Sequence, residues 1–283
     1  MSQLALYVTR EGSIGASLDT FVNLSTYAGQ TVNAITVPAG YSSIKQLWLN
    51  VGPIGNATDN QGCTFTIRLQ GSGLKYGPVD IVAGAWSHLL LSNSGDAMVT
   101  WANVVPVDIA LNPQGEIWVK AAQDGAAEVG SPEAAVTLAF TKQGAGTKWY
   151  IARDMNVAGA NNTVYAVTHC VDDTAAGRIR VPAGVTRLTG FFGACGGIVA
   201  DATGGTMSIR LKGTGLRDGD VVIPIGGYGV QGTTTAVDGC LVPAVYVPMD
   251  LALVSGGEIA AEAIFAGTDV TTPDVAFSVE LSV

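Results

Sequence analysis

One eight-residue phrase occurs twice in this chain, as IRLQGSGL at 67–74 and as IRLKGTGL at 209–216. The flanking blocks recur in the same order. ITVPAG at 35–40 answers IRVPAG at 179–184, VPVDIAL at 105–111 answers VPMDLAL at 247–253, and GEI at 115–117 answers GEI at 257–259. LYVTR at 6–10 matches WYIAR at 149–153, and Pro132 matches Pro273. The displacement stays between 141 and 144 residues throughout. A period of that length held across the whole sequence is the mark of an internal duplication, so the chain is expected to fold as two sibling units. The expected boundaries are 1–141 for the first unit, 142–148 (KQGAGTK) for a flexible Gly-containing linker, and 149–283 for the second.

Inside each unit the apolar residues alternate with polar ones, which is the signature of strands with one buried face. Cys63, Phe65, Ile67 and Leu69 alternate with Thr64, Thr66, Arg68 and Gln70, and Met207, Ile209 and Leu211 repeat the pattern. The same period appears at Leu47, Leu49 and Val51, at Val107, Ile109 and Leu111, and at Val136, Leu138 and Phe140. Turn formers separate these runs, among them Gly52-Pro53, Asn112-Pro113, Gly226-Gly227 and Gly256-Gly257. The reading is all-β, with two tandem eight-stranded jelly-roll domains, each closing two four-stranded sheets. An immunoglobulin-like sandwich is usually nearer about 100 residues and fits less well. The repeated GxGxxxG is neither a dinucleotide fingerprint nor a Walker motif, and no helix follows it to hold an anion. It predicts a bulge or tight corner leaving a strand.

Only 13% of the 283 residues are charged, against about 25% in an ordinary soluble chain. Mean hydropathy is +0.35, yet no apolar run approaches the ~20 residues of a membrane-spanning helix. A surface this poor in charge is expected to be covered by other subunits. With 14 Lys and Arg against 23 Asp and Glu, the net charge of −9 has the wrong sign for direct nucleic-acid binding. MSQLALYVTR carries no secretory pattern, so synthesis in a cytoplasm is expected.

Residues that carry catalysis are scarce. His88 and His169 do not occupy equivalent repeat positions, and no HxH, HExxH or G-x-S-x-G occurs. Cys63, Cys170, Cys195 and Cys240 lack metal-binding spacing and read as small buried thiols. His169-Cys170 before Asp172-Asp173 reads as strand and turn rather than a metal site, and Asp218 and Asp220 as turn carboxylates. No catalytic residue, metal site or cofactor is expected. Assembly leaves clearer signs. Trp118 lies opposite Ile117 and Val119 and so points away from its own core, while its repeat counterpart is Ala260. Arg68, Arg210, Asp108 and Asp250 occupy the non-core face in both copies. These five are the candidate interface residues. A tandem carbohydrate-binding or adhesive β-sandwich is the alternative, and would use Trp48, Trp86, Trp101, Trp118 and Trp149 as an exposed aromatic row. A third option is an amidase built from two jelly rolls, relying on Asp172, Asp218 or Asp220.

Two stretches, GQTVNAITVPAGYSSIKQLWLNVG (29–52) and AAGRIRVPAGVTRLTGFFGACGG (175–197), each hold a strand, a proline-containing turn and a second apolar strand. In this, and in its duplicated, acidic, charge-poor build, the chain resembles the double jelly-roll major capsid proteins of adenoviruses and tailless membrane-containing bacteriophages. The resemblance implies a structural virion protein that is not an enzyme. It implies self-association as a homotrimer, whose six lobes make a pseudo-hexagonal block that tiles an icosahedral shell with other virion proteins as further partners. The chain departs from the family in its short loops and in lacking a basic N-terminal extension.

Overall fold

A computed structural model of the chain describes residues 5–14, 20–24, 34–52, 62–87, 101–125, 133–144, 146–156, 164–167, 178–196, 199–200, 205–228, 242–267, 270–271 and 274–283. All regular structure among these residues is β. The first half contributes β1 (Ala5–Ser13), β2 (Val22–Asn23), β3 (Ala34–Thr36), β4 (Ser43–Gly52), β5 (Gly62–Gln70), β6 (Val79–Ser87), β7 (Trp101–Ala110), β8 (Glu116–Gly125) and β9 (Glu133–Thr141). The second contributes β10 (Lys148–Asn156), β11 (Val164–Val167), β12 (Arg178–Arg180), β13 (Arg187–Gly196), β14 (Val199–Ala200) and β15 (Gly205–Lys212). It continues with β16 (Val221–Tyr228), β17 (Val242–Ala252), β18 (Glu258–Gly267), β19 (Val270–Thr271) and β20 (Asp274–Ser282).

Each half is a jelly roll. In the first, β1-β9-β4-β7 form one sheet, and β2-β8-β5-β6 form the other, with β3 pairing β8 beyond β2. In the second, the orders are β10-β20-β13-β17 and β11-β18-β15-β16, with β12 also pairing β18. Because β2 with β3, and β11 with β12, are split halves of one strand position, each roll has the eight positions expected; the β14–β19 ladder is an addition. The cores follow the alternation. Leu47, Leu49, Val51, Phe65, Ile67, Leu69, Val136, Leu138 and Phe140 are buried in the first roll, and Phe191, Met207, Ile209, Leu211, Phe277, Val279 and Leu281 in the second. Cys195 is buried in the second core.

The repeated GxG motif turns out to be the corner where β5 or β15 leaves its sheet. Gly71 has φ +131°, and a Cβ there would lie 2.2 Å from the Glu116 carbonyl oxygen. Gly213 repeats this with φ +125° and 2.4 Å to the Glu258 oxygen. The Gly73 amide then donates to Glu116 O at 2.9 Å, as Gly215 does to Glu258 O at 2.9 Å. Leu74 and Leu216 close the corner through isolated bridges to Leu111 and Leu253.

The two rolls meet in one continuous eight-stranded sheet, β1-β9-β4-β7-β10-β20-β13-β17. Strands β7 and β10 run parallel at the join, where Ile109 faces Lys148. The described residues of the 142–148 segment are fastened rather than free, which departs from the flexible joint expected of a Gly-rich run. Ser43 Oγ donates to Gln143 O at 3.2 Å, and the Thr147 amide and hydroxyl donate to Asp108 Oδ2 at 3.3 and 3.1 Å. The Val283 amide donates to Thr147 O at 3.0 Å. Gly146, at φ +61°, lies so near Ala110 that a Cβ would come within 2.3 Å of its nitrogen.

Candidate functional site: an assembly surface

The β-sheet that joins the rolls has an outer face, and its two halves differ in what covers them. On the second half, strand β6 of the first roll lies across β10, β13, β17 and β20. Val82 and Ala85 of β6 pack on Ala152, Ala194 and Ala276, small side chains that let the strand come close. The Val82 amide donates to Ser278 Oγ at 2.7 Å, and Trp149 Nε1 donates to Pro78 O at 2.8 Å. Beside this contact three aromatic rings gather: Tyr150 and Phe192 at 6.2 Å, and Phe192 and Tyr246 at 4.6 Å between centroids. Tyr150 and Phe192 join the apolar cluster that continues from the first core, and Tyr246 packs against it.

A polar chain runs through this seam. Tyr150 Oη donates to Glu280 Oε2 at 2.9 Å and accepts the Asp108 amide at 3.1 Å. Thr189 Oγ1 donates to Glu280 Oε1 at 2.7 Å, and Lys148 Nζ stands 3.4 Å from the same oxygen. Burial, and next the Glu280 charge, push the Tyr150 hydroxyl far above its ordinary range. The hydroxyl is thereby favoured in its protonated form, the form that donates to Glu280.

The same face of the first roll is bare. Tyr7, Trp48 and Val104 stand at the positions matching Tyr150, Phe192 and Tyr246, as the registers show: Trp48 opposes Val104 just as Phe192 opposes Tyr246. Tyr7 and Trp48 touch at 5.2 Å between ring centroids. Yet Tyr7 is 50%, Trp48 45% and Val104 55% exposed. A contiguous aromatic and aliphatic patch of this kind is a candidate interaction surface. Sequence reasoning had placed Trp48 only in the glycan row. The signal was present in the alternation, since burying Leu47 and Leu49 puts Trp48 on the opposite face.

Of the five candidate interface residues, the four charged ones are engaged within the chain. Arg68 forms a two-point pair with Asp80, Nε–Oδ1 2.7 Å and Nη2–Oδ2 2.8 Å, and its guanidinium lies 4.0 Å over the Phe21 ring. Arg210, whose roll has Val222 where the first has Asp80, pairs instead with Glu262, Nε–Oε2 2.7 Å. Asp108 pairs with Lys45 and Asp250 with Arg187. Trp118 is half-buried on β8, opposite Gln70, with its ring edge over Gly71. In the second roll Ala260 leaves that position open, and a cavity of about 290 Å³ lies between Arg178, Lys212, Thr214, Asp220 and Glu258.

Two expectations follow from these pairs. Asp80→Ala takes the paired carboxylate from a largely buried Arg68, and is expected to lower stability by about 2 kcal/mol in urea unfolding, between the exposed-pair and buried-pair ranges. Burial alone would raise the Glu262 carboxyl, but hydrogen bonds and charge from Lys212 and Arg210 hold it below its ordinary 4.5. A depressed folded-state value stabilises the fold above the unfolded titration range, and that contribution is lost as pH falls through the folded value. The stability gap between wild type and Glu262→Gln is therefore expected to be full at neutral pH and to close in acid. Thermal melts from pH 7 to pH 3 check it, a pH-independent gap being the contrary result.

The three tryptophans with described side chains lie apart. Trp48 lies on the outer face of the joined sheet, Trp118 on the β2-β8-β5-β6 sheet, and Trp149 at the seam between rolls. The side chains of Trp86 and Trp101 fall outside the described residues, as do His88, His169, Cys170, Asp172, Asp173 and Cys240. Asp218 and Asp220 are exposed in the turn between β15 and β16. Among the described residues no group of three His, Cys, Asp or Glu could hold a metal, and no helix is long and apolar enough to cross a membrane.

No protein-family model and no curated protein matches the chain. Among solved structures it is similar to the STIV MCP, at 8% identity and TM-score 0.42 over 98% of this chain and 96% of that one. It is also similar to the major capsid protein P2 from Bacteriophage PM2, at 7% identity and TM-score 0.36 over 98% and 97%. PNGase F, a glycosylasparaginase from Flavobacterium meningosepticum, matches at 8% identity and TM-score 0.38 over 97% and 96%.

Proposed function

We propose that this chain is a structural protein of a virion shell, a double jelly-roll capsid protein whose copies associate as trimers and tile through them. The two rolls, with their join at 142–148, are read as duplicated domains, each supplying one lobe of a pseudo-hexagonal block, and no catalytic role is assigned. The observation that carries this reading is the bare Tyr7–Trp48–Val104 face, whose counterpart in the second roll is covered. A chain with 13% charged residues that leaves such a face open lowers its free energy by packing against further copies. Light scattering on the purified protein at micromolar concentration is expected to give three times the 28.9 kDa chain mass, and electron microscopy to show six-lobed blocks. A clean monomer would sink the proposal.

A further inference from the structure

We propose that the bare face around Trp48 receives the outer face of β16 from a second copy of this chain, as the matching face of the second roll receives β6 of its own. This rests on the assembly reading and names its surfaces. Strands β6 and β16 are each the terminal strand of their sheet and occupy equivalent positions, Leu69 opposing Val79 as Leu211 opposes Val221. The outer side of β6 is used within the chain. That of β16 is open at its described residues: Val222 is 53% exposed and Pro224 is exposed beside it.

The differences between the two faces match in pairs. At the internal contact the Val82 amide needs the Ser278 hydroxyl. On β16 the equivalent residue is Pro224, which has no N–H to donate, and the residue equivalent to Ser278 is Thr137, whose hydroxyl is already bonded to Thr9 at 2.8 Å. The donor has been lost, and the hydroxyl at the acceptor's position has a partner of its own. Likewise Asp80 on β6 becomes Val222 on β16, and Glu280 at the covered face becomes Ala139 at the bare one. Each change removes a polar group that would have to be partnered once buried. With Pro224 and Val222 on one side and Ala139, Trp48 and Val104 on the other, both surfaces are apolar where the internal contact is polar, and so fit each other. The contact is heterologous, since each copy offers one β16 face and one Trp48 face, so copies join head to tail and a ring closes them.

The test uses Trp48→Glu and Val222→Glu in the full chain, both at exposed positions, with thermal melts to show that each still folds and Trp48→Ser with Val222→Ser as milder replacements should either unfold. At a concentration where wild type is oligomeric, each variant alone is expected to sediment as a single chain. Mixed one to one, they are expected to give a complex of two chains that grows no further, because one intact contact remains and the ring cannot close. Assembly of either variant to the wild-type mass, or a mixture that stays monomeric, overturns this pairing of surfaces while leaving the assembly reading in place. Wild type that is itself monomeric instead removes the assembly reading.

Discussion

Gly115→Ala is expected to destabilise the first roll by about 3 kcal/mol, at the top of the overpacking range, lowering its melting transition by roughly 10 °C. A Cβ at this position would come within 2.5 Å of Gly73 Cα, 2.6 Å of Gly73 N and 2.6 Å of Ser72 O. All three are backbone atoms of the corner that follows β5, so no side-chain rotation relieves the clash. The turn before β8 would have to separate from that corner, straining the Gly73 bond to Glu116 O and the Leu74–Leu111 bridge. Gly257→Ala is expected to do the same to the second roll, where the Cβ would meet Gly215 Cα at 2.6 Å and Thr214 O at 2.6 Å. Gly40→Ala is the control. It has φ +82° and nothing within 4 Å, so only the left-handed backbone penalty of about 1 kcal/mol applies. Calorimetry on the three variants separates the effects; equal losses at Gly40 and Gly115 would mean that close approach is not what demands glycine at the corner.

The same corner shows what could be read from the sequence and what could not. That GSGL and GTGL repeat, and that they leave a strand, is visible in the letters. The partner is not, because Gly73 meets Gly115 across 42 residues of chain and only the fold brings them together. Strand positions were legible because alternation is local: the stretch from Cys63 to Gln70 reads as a strand and lies within β5. Side-chain pairing on the outer face was less so. Polarity on the outer face drew attention to Arg68 and Asp108, but a charge with an in-chain partner such as Asp80 or Lys45 looks the same in sequence as an unsatisfied one. The fastening of the 142–148 segment was hidden for a related reason. A Gly-rich run reads as flexible by composition, whereas Gly146 is glycine because Ala110 leaves no room for a side chain.

Glu280→Ala is expected to cost on the order of 3 kcal/mol, the lower end of what breaking a buried ion pair costs. Glu280 is 6% exposed and serves three donors at once: Tyr150, Thr189 and Lys148. Truncation leaves the Lys148 ammonium, itself mostly buried, without its carboxylate, and leaves the Tyr150 hydroxyl with no acceptor in the seam. Because Tyr150 also receives the Asp108 amide from β7, the loss falls on the join between the rolls as well as on the second core. Glu280→Gln retains an oxygen for Tyr150 or Thr189 and is expected to lose about half as much, the difference being the charge on Lys148. Urea unfolding followed by tryptophan emission suits the comparison, since Trp149 lies at this seam with its indole bonded to Pro78. In Glu280→Ala the emission change is expected to begin at lower urea and to spread over two steps, because the seam around Trp149 loosens before the first roll unfolds. If Ala and Gln variants unfold at the same urea concentration as wild type, the polar chain through Glu280 does not hold the rolls together, and the Val82 and Ala85 packing on Ala152, Ala194 and Ala276 suffices.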